Sequence, residues 1–316
     1  VHLSHNLSRA LLERLGQASL DLLVQDELNH PSLFWLNRQL RKRAGYPILT
    51  IVHHLRCSEA RPAWQNRLYR WLERSYLGTV DGFIFNSQTT RASVEDLVGP
   101  AARAIVAYPG RGQLQSNLTP AQITRRAQQP GPLRLLFVGN LIPRKGLHLL
   151  LQGLSSLPRD SWRLEVVGRL EVDPPYVRGI RHQLAALGLA DQVTLAGYLP
   201  DDELVARLAE SHVLAVPSSY EGFGIVYLEG MGAGLPAIAS TAGAAHEMID
   251  HGQNGFLVPP ADPAPLARHI GALVEDRERL AHMSLAAYQR YHSFPTWSQS
   301  SERIYRFLQT WQPNPL

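Results

Sequence analysis

Two segments in the second half of the chain combine residue types and spacings that suit phosphate binding. The first is GNLIPRKG, residues 139–146, which follows an apolar run and opens a predicted helix. Unpaired backbone N–H groups and the positive end of the helix dipole favour an anion at such a turn. Arg144 and Lys145 would add positive charge, although the segment alone is equally compatible with a basic surface turn. It lacks the G-x-x-x-x-G-K-[ST] spacing of a Walker A loop.

The second segment is SSYEGFGIVYLEGMGAGLP, residues 218–236. Glu221 ends a predicted loop, and Glu229 lies two turns into the helix that follows. Three residues open that predicted helix: Phe223, Gly224 and Ile225. Eight helical residues rotate by about 800°, which would place both carboxylates on nearly one side, while the first N–H groups would meet a second phosphate face. The many glycines, unfavourable in a helix, favour close approach by a ligand; the alternative is a solvated Glu229 and glycines that serve packing.

Short apolar strands alternate with amphipathic helical stretches, which predicts a parallel α/β architecture with sheets covered on both faces. Strands are predicted over residues 21–25, 48–54, 82–87, 102–110, 133–139, 163–168, 192–197, 212–218, 236–240 and 255–260. Helices are predicted over residues 31–44, 64–77, 88–97, 145–154, 176–187, 201–210, 223–234 and 263–274. Ser87 is predicted to cap the helix after it. Residues 112–131 have little apolar content and are predicted to be an interdomain linker.

Composition excludes several classes of protein. The 316 residues are 45% hydrophobic and 18% charged, which is typical of packed globular domains, and the length suggests two of them. The single cysteine, Cys57, excludes an internal disulfide framework and a cysteine-based zinc site, and it suits a reducing compartment such as the cytoplasm. No apolar run approaches the roughly 18 residues that span a bilayer. Residues 1–131 carry 16 basic and 9 acidic residues, an excess that favours an anionic partner.

The segment EGFGIVYLE, preceded by VPSSY and followed by GMGAGLPAIAS, resembles the retaining nucleotide-sugar glycosyltransferases of family 4. FVGNLIPRKG upstream and GQNGFLVPPAD downstream match the same family in the same order, so the resemblance covers residues 133–262. The front half resembles the family's acceptor domain more weakly. The resemblance implies a GT-B fold, in which two Rossmann-like, doubly wound parallel-sheet domains face a cleft. The implied division is an acceptor-side domain (1–111), a linker (112–131), a donor domain (132–293) and a helix that crosses back to the first domain (294–316).

The resemblance also implies roles for individual residues. Lys145 would bind the donor diphosphate with help from Arg144, and Glu229 would hydrogen-bond the ribose. His53 would meet the transferred sugar, and the alternative is a structural histidine at the end of a strand. The implied catalytic residues are His53, Lys145 and Glu221. The implied donor-binding residues are Gly139, Asn140, Arg144, Lys145, Gly197, Tyr198, Glu221, Phe223, Gly224, Ile225 and Glu229, with Gly197 and Tyr198 near the base.

Two features depart from the family pattern. Asn140 stands where arginine is common, so that one diphosphate contact is missing or is supplied by Arg144. The first strand and its glycine-rich loop have no counterpart, and we expect the first domain to be N-terminally incomplete. The alternative to an enzyme is therefore a non-catalytic nucleotide-sugar-binding or scaffold protein of the same fold.

Residues 61–77 could lie on an anionic membrane surface. One predicted helical face carries apolar residues and the opposite face carries arginines: Trp64, Leu68, Trp71 and Leu72 against Arg67, Arg70 and Arg74. The more common alternative is a helix with its apolar face in a domain core and its arginines in solvent. The basic run RQLRKR, residues 38–43, favours the membrane, and a lipid-surface adaptor is the third hypothesis.

The predicted activity is transfer of a hexose from a UDP- or GDP-sugar to a hydroxyl of a glycan, lipid or small-molecule acceptor, with retained configuration. The family's front-face attack needs no protein nucleophile, unlike the carboxylate pair of retaining glycosidases. No cofactor and no obligatory metal are predicted, and the sequence contains no D-x-D triplet. No G-x-G-x-x-G follows a strand, which weakens a nicotinamide or flavin reading. Motifs for nucleic-acid binding are also missing. The expected location is the cytoplasm, at the inner face of a membrane if residues 61–77 dock there.

Overall fold

The chain folds into two compact α/β units. The structure, a computed structural model, describes residues 4–59, 61–114 and 116–311, with backbone alone for residues 29–31. The first unit comprises the chain up to Pro109 and from Trp297 onward, and the second comprises Gly110–Thr296. No helix in these described ranges combines the length and the apolarity that a bilayer span requires.

The first unit contains a four-stranded parallel sheet whose strands pair in sequence order. The strands are β1 (Leu23–Asp26), β2 (Ile48–Val52), β3 (Gly82–Phe85) and β4 (Ala104–Val106). The helices before and between them are α1 (Arg9–Gln17), α2 (His30–Leu40), α3 (Ala63–Leu77) and α4 (Gln88–Val98). The side chain of Ser87 accepts the N–H of Thr90 at 2.9 Å, which confirms the predicted cap of α4.

A buried polar network holds α2 and α3 against this sheet. Asn37 on α2 exchanges two hydrogen bonds with Gln25 on β1, at 2.8 and 2.9 Å. Tyr76 on α3 donates its hydroxyl hydrogen to Thr50 on β2 at 2.9 Å. Because buried polar groups are costly without partners, these bonds fix which face of each helix meets the sheet.

The second unit contains a six-stranded parallel sheet. Its strands are β5 (Leu133–Val138), β6 (Trp162–Val167), β7 (Val193–Gly197), β8 (Val213–Val216), β9 (Ala237–Ser240) and β10 (Gly255–Val258). Its helices are α5 (Pro120–Ala127), α6 (Leu147–Leu154), α7 (Pro174–Leu187), α8 (Asp201–Glu210), α9 (Ile225–Gly232), α10 (Pro263–Glu275) and α11 (Arg277–Ser293). The chain then returns to the first unit with α12 (Trp297–Gln309).

The strand order of this second sheet is β10-β9-β8-β5-β6-β7. The chain runs outward from β5 through β6 to β7, and then outward on the other side from β8 to β10. The order therefore reverses between β5 and β8, and in open parallel sheets ligands bind outside the carboxyl ends of the strands at that switch point. The predicted parallel α/β architecture is confirmed in both units.

The predicted linker needs correction, because α5 occupies its middle. Thr119 and Gln122 form a capping box at the start of α5, and Ile123 and Arg126 on it are buried. The Arg126 guanidinium donates to four carbonyl oxygens at the C-terminal ends of α8 and α9: those of Leu208, Ala209, Ala233 and Gly234. The composition of this segment did not indicate a helix, because the buried face of α5 includes an arginine and has few large apolar residues. The end of the predicted crossing helix, residues 312–316, lies outside the described residues.

Candidate functional site

Two close glycine contacts shape the loop after β5, one within the loop at Gly139 and one against the end of β8 at Gly146. The loop turns back through a 3-10 helix, Pro143–Lys145. The side chain of Lys145 passes beside Gly139, where an added Cβ would lie 3.2 Å from the lysine Cε. Gly146 has a φ of +77°, and a Cβ there would lie 2.3 Å from the carbonyl oxygen of Pro217. A side chain at 146 would push the two loops apart, so glycine is required there.

Glu221, in the loop after β8, joins that loop to the basic residues after β5. Its Oε1 accepts a hydrogen bond from Lys145 Nζ at 2.7 Å and lies 3.3 Å from a terminal nitrogen of Arg144. The same Arg144 nitrogen donates to the Tyr220 carbonyl at 2.6 Å. The Ser219 N–H donates to the Arg144 carbonyl at 2.7 Å. The predicted basic and acidic residues therefore converge at the switch point between β5 and β8.

The charges of this cluster favour an anionic ligand. Burial of Glu221 opposes its ionisation, but the positive charges of Lys145 and Arg144 outweigh burial and hold the pKa of this carboxyl below its ordinary value. The three side chains then bring two positive charges and one negative charge to a largely water-excluded place. The excess positive charge suits a phosphate, and the low local dielectric strengthens the attraction.

The helix that follows begins later than predicted. Gly224 is the N-cap in a left-handed conformation and α9 starts at Ile225, so Phe223 lies before the helix, with its ring edge-to-face on Phe294 at 6.2 Å. Glu221 therefore lies four residues before the helix, so the helical rotation used in the sequence analysis does not relate it to Glu229.

Glu229 is part-buried on α9 and faces another negative charge. Burial and, to a smaller extent, the negative charge of Asp201 in the first turn of α8 together raise the pKa of its carboxyl to about 7. Near neutral pH this carboxyl changes between an acceptor and a donor of hydrogen bonds. A ligand hydroxyl would select one of these two forms.

Three of the glycines in the second segment are explained by packing and need no ligand. Added Cβ atoms at Gly230, Gly232 and Gly234 would lie within 3 Å of neighbouring side chains. The neighbours are Leu214, Tyr291 and Ile123, respectively. The preference for a ligand-based explanation of these glycines is therefore corrected.

A row of exposed side chains lies along the carboxyl edge of β5, β6 and β7. A glycine ends or directly follows each strand, and the next residue is exposed: Asn140, Arg169 and Tyr198. The Arg169 guanidinium lies over the Tyr198 ring, 5.5 Å from its centroid, and the Leu141 N–H donates to the Arg169 carbonyl at 3.2 Å. Arg169 was missed in the sequence. The repeated pattern of strand, glycine and polar residue (VGN, VGR, AGY) would have found it.

His53 lies in the first unit, at the carboxyl end of β2. Its N–H donates to Glu27 Oε2 at 2.9 Å, and its ring Nε2 lies 3.5 Å from Asp26 Oδ2. The neighbouring His54 is engaged differently, with Nε2 at 2.6 Å from Glu59 Oε1. The His53 side chain is about half exposed, which leaves it open to a substrate.

Asp26, Glu27 and His53 bring their ligand atoms within 4.8 Å of one another, as a metal site would. Burial raises the pKa of the Glu27 carboxyl to about 8, with the nearby charges of Asp26 and Glu73 acting in the same direction. Protonation at neutral pH opposes metal binding, because metal ligands must be deprotonated. A metal ion at these residues would therefore have to displace the Glu27 proton at neutral pH.

Comparison with known proteins identifies the family. The family model "Glycosyl transferases group 1" matches residues 121–290, and the model "Glycosyl transferase 4-like domain" matches residues 3–110. The chain belongs to the group 1 glycosyl transferases. The resemblance predicted from the sequence motifs is confirmed, and the first match contains both loops at the switch point.

Two relatives of this glycosyl transferase act on inositol compounds, as their names state. The GDP-mannose-dependent alpha-(1-6)-phosphatidylinositol monomannoside mannosyltransferase of Mycobacterium tuberculosis is 30% identical over 240 residues, which are 72% of this chain and 61% of that protein. The D-inositol 3-phosphate glycosyltransferase of Thermobispora bispora is 30% identical over 296 residues, which are 86% of this chain and 68% of that protein. The chain thus spans about three fifths of the length of the first relative.

Solved structures of glycosyl transferases have the same fold. Sucrose-phosphate synthase from Thermosynechococcus elongatus superimposes with a TM-score of 0.80 at 24% identity, over 95% of this chain and 76% of that one. HepE from Anabaena, crystallised with UDP-glucose, superimposes with a TM-score of 0.78 at 24% identity, over 95% of this chain and 81% of that one. The predicted GT-B fold class is confirmed.

The structure places the predicted donor-binding residues of this glycosyl transferase in three groups. Gly139, Arg144, Lys145 and Glu221 meet at the switch point, and Asn140, Gly197 and Tyr198 lie on the adjoining sheet edge. Phe223, Gly224 and Ile225 form the turn into α9, which carries Glu229. His53 belongs to the other unit. The roles of all these residues stay predictions.

Proposed function

We propose that this protein is a retaining glycosyltransferase that moves a hexose from a UDP- or GDP-sugar to an acceptor hydroxyl. The observation that carries the proposal is the cluster of Lys145, Arg144 and Glu221 at the switch point of a sheet whose topology binds ligands there. The names of the mannosyltransferase and of the HepE complex support a GDP- or UDP-hexose donor.

Lys145 and Arg144 would bind the donor diphosphate and stabilise the negative charge that develops when the bond to the sugar breaks. Fixed positive groups in a water-excluded place are commonly the largest single contribution to such a transition state. Glu221 holds both side chains in place before the donor arrives, so little reorganisation is needed at the moment of reaction. Glu221 would also contact the donor sugar.

Glu229 and the sheet edge would recognise the nucleoside. An ionised Glu229 would accept hydrogen bonds from ribose hydroxyls, and the exposed Tyr198 ring offers a stacking surface for a base. No metal is needed in this scheme because the two cationic side chains supply the positive charge. Transfer should therefore survive chelation by EDTA.

On the acceptor side, His53 would contact the transferred sugar, and Asp26 would orient its ring. The named relatives transfer to inositol-containing acceptors, which supports an acceptor that carries a ring hydroxyl. A lipid-linked or cell-envelope glycan fits the same proposal. An anionic membrane surface stays a prediction for residues 61–77.

Calorimetry tests the donor site directly. Titration with UDP, GDP and their hexose conjugates should show binding that Lys145→Ala weakens about a hundredfold, the magnitude expected when a buried charged contact is lost. The matched control is Lys42→Ala, since Lys42 is the only other lysine and is exposed. Equal binding by both variants would exclude the proposed site.

Transfer itself is measured with the tightest-binding sugar nucleotide and inositol acceptors, and NMR of the product gives its anomeric configuration. Retention is expected. An inverted product would overturn the proposed mechanism. Donor binding without transfer to any acceptor would instead favour the alternative, a non-catalytic nucleotide-sugar-binding protein.

A further inference from the structure

Helix α3 exposes a strip of large apolar side chains to solvent. Trp64, Leu68 and Trp71 lie at successive turns of one face and are 67%, 49% and 57% exposed. The buried face of α3 is a different one, formed by Leu72, Glu73, Tyr76 and Leu77. The common alternative considered for the sequence, an apolar face packed in the core, is therefore wrong for three of its four residues.

Helix α2 extends this apolar surface. Trp35 on α2 is 48% exposed, and the neighbouring Phe34 packs edge-to-face on Trp71 with ring centroids 5.7 Å apart. The network through Asn37 and Tyr76 anchors both helices on their opposite sides. The exposed tryptophans thus lie on two helices that hydrogen bonds hold against the sheet.

The surface around the strip is strongly basic. Residues 30–46 contain four basic and no acidic residues, and residues 61–78 contain four basic residues and one carboxylate. That carboxylate, Glu73, is buried and accepts the N–H groups of Arg56 and Cys57. Acidic groups from neighbouring elements reach three of the arginines. Asp81 pairs with Arg41 at 2.8 Å, Glu59 pairs with Arg61 at 2.5 Å, and Asp96 lies 3.6 Å from Arg70. By their helical spacing the exposed Arg67 and Arg74 lie beside the strip, so the prediction that they occupy the opposite face is wrong.

We propose that the α3 strip (Trp64, Leu68 and Trp71), together with Trp35, docks on an anionic lipid bilayer. Tryptophan side chains favour the membrane–water interface, and a helix with an apolar face flanked by arginines lies in that plane. Arginines beside the strip meet the negative headgroups. A second copy of the chain fits less well, because a two-fold contact through this face would bring the same arginines together.

The strip begins near the predicted acceptor-side residue of the same unit. Glu59 connects the two ends of the segment between His53 and α3 through two polar contacts. Its carboxylate lies 2.6 Å from His54 Nε2, and its carbonyl oxygen accepts from the Asn66 side chain at 3.1 Å. Docking would place this end of the sheet next to headgroups, so the acceptor hydroxyl would belong to a lipid. This last step rests on the proposed function.

Co-sedimentation tests the docking without any donor. Vesicles of phosphatidylcholine alone and of phosphatidylcholine mixed with phosphatidylglycerol are compared at low and high salt. The wild-type protein should bind the mixed vesicles about tenfold more tightly, with loss of the difference at high salt. Trp64→Gln with Trp71→Gln should lower this binding about tenfold or more, and so should Arg67→Glu with Arg74→Glu.

Matched variants on other surfaces serve as controls. Trp297→Gln with Tyr305→Gln changes two exposed aromatic residues on α12, and Arg178→Glu with Arg181→Glu reverses two exposed charges on α7. Both control proteins should bind vesicles as the wild type does.

Equal binding to neutral and anionic vesicles, or equal loss of binding in the control variants, would overturn the proposal. So would a dimer in light scattering that Trp64→Gln with Trp71→Gln dissociates. Lys145→Ala should retain vesicle binding, so failure of docking and failure of the donor site are separable.

Discussion

Lys145 Nζ lies 2.7 Å from Glu221 Oε1, so the lysine proposed to bind diphosphate already has a negative partner. Glu221→Gln removes that charge and leaves Lys145 and Arg144 without neutralisation. We expect the variant to bind UDP or GDP more tightly, by about tenfold, because two uncompensated positive charges attract the diphosphate more strongly. We expect transfer to fall about a hundredfold, because the two basic side chains lose the group that positions them.

The measurement is calorimetry with the nucleoside diphosphate beside steady-state transfer by the same preparation. The exposed Glu203→Gln on α8 is the control and should change neither quantity. Weaker nucleotide binding by Glu221→Gln would show that the carboxylate contributes to the site in another way.

A second prediction concerns pH and Glu229. The pKa of about 7 lies above the ordinary 4.5. As the pH rises, the unfolded chain therefore releases the Glu229 proton at a lower pH than the folded protein does. Stability from this group is present below pH 4.5 and is lost as the pH rises through about 7. Glu229→Gln removes the effect and should raise the free energy of unfolding at pH 8 by about 1–3 kcal/mol relative to its change at pH 5.

Urea unfolding of the two proteins at several pH values measures this difference. Parallel curves for wild type and Glu229→Gln across the range would contradict the raised pKa. The ribose contact gives a separate readout: donor binding by the wild type should strengthen from pH 6 to pH 8, and the glutamine variant should lose that dependence.

Arg169 yields a third prediction. Its guanidinium lies over Tyr198 on the sheet edge beside Asn140, where the family commonly has an arginine. Removing it should weaken both the stacking surface and the positive charge offered to the nucleotide. Arg169→Ala should therefore raise the KM for the donor about tenfold and change kcat by less than about threefold, since no reacting atom is involved.

The control for Arg169 is Arg178→Ala, an exposed arginine on α7. Arg169→Lys retains charge but not the planar face, and it should restore only part of the affinity. A loss confined to kcat would place Arg169 in the chemical step and contradict a role in nucleotide binding.

The sequence predicts the strands and the site loops well because both depend on local patterns. Ten apolar runs coincide with ten strands of the structure, and Ser87 caps the predicted helix. The motif around Lys145 and the motif around Glu221 are 76 residues apart. Only the strand order, with β5 beside β8, brings them together, and a strand order is not visible in local periodicity.

Other features depend on what surrounds a residue and were missed or misjudged. The same helical spacing describes Leu72, which is buried, and Trp71, which is exposed, because the helix face is chosen by the polar network under it. The sequence suggests a ligand contact at Gly232. In the structure the space beside it is filled by Tyr291, which lies on α11, far away in the sequence. Partners from distant segments decide such cases, and composition does not record them.

Arg126 supports the last prediction, which concerns stability of the second unit. It is buried on α5, and burial lowers its pKa to about 10, with the positive charge of Arg134 acting in the same direction. Its four hydrogen bonds go to carbonyl oxygens at the C-terminal ends of α8 and α9, where the helix dipoles favour a positive charge. Arg126→Met keeps much of the volume but leaves these oxygens without a donor. We expect a loss of about 3–5 kcal/mol in the free energy of unfolding, measured by urea denaturation. Arg125→Met, one residue away on the exposed face of α5, should lose less than about 1 kcal/mol. Equal losses of unfolding free energy in the two variants would mean that apolar contacts hold α5 in place. The hydrogen bonds of the guanidinium to the ends of α8 and α9 would then contribute little to stability.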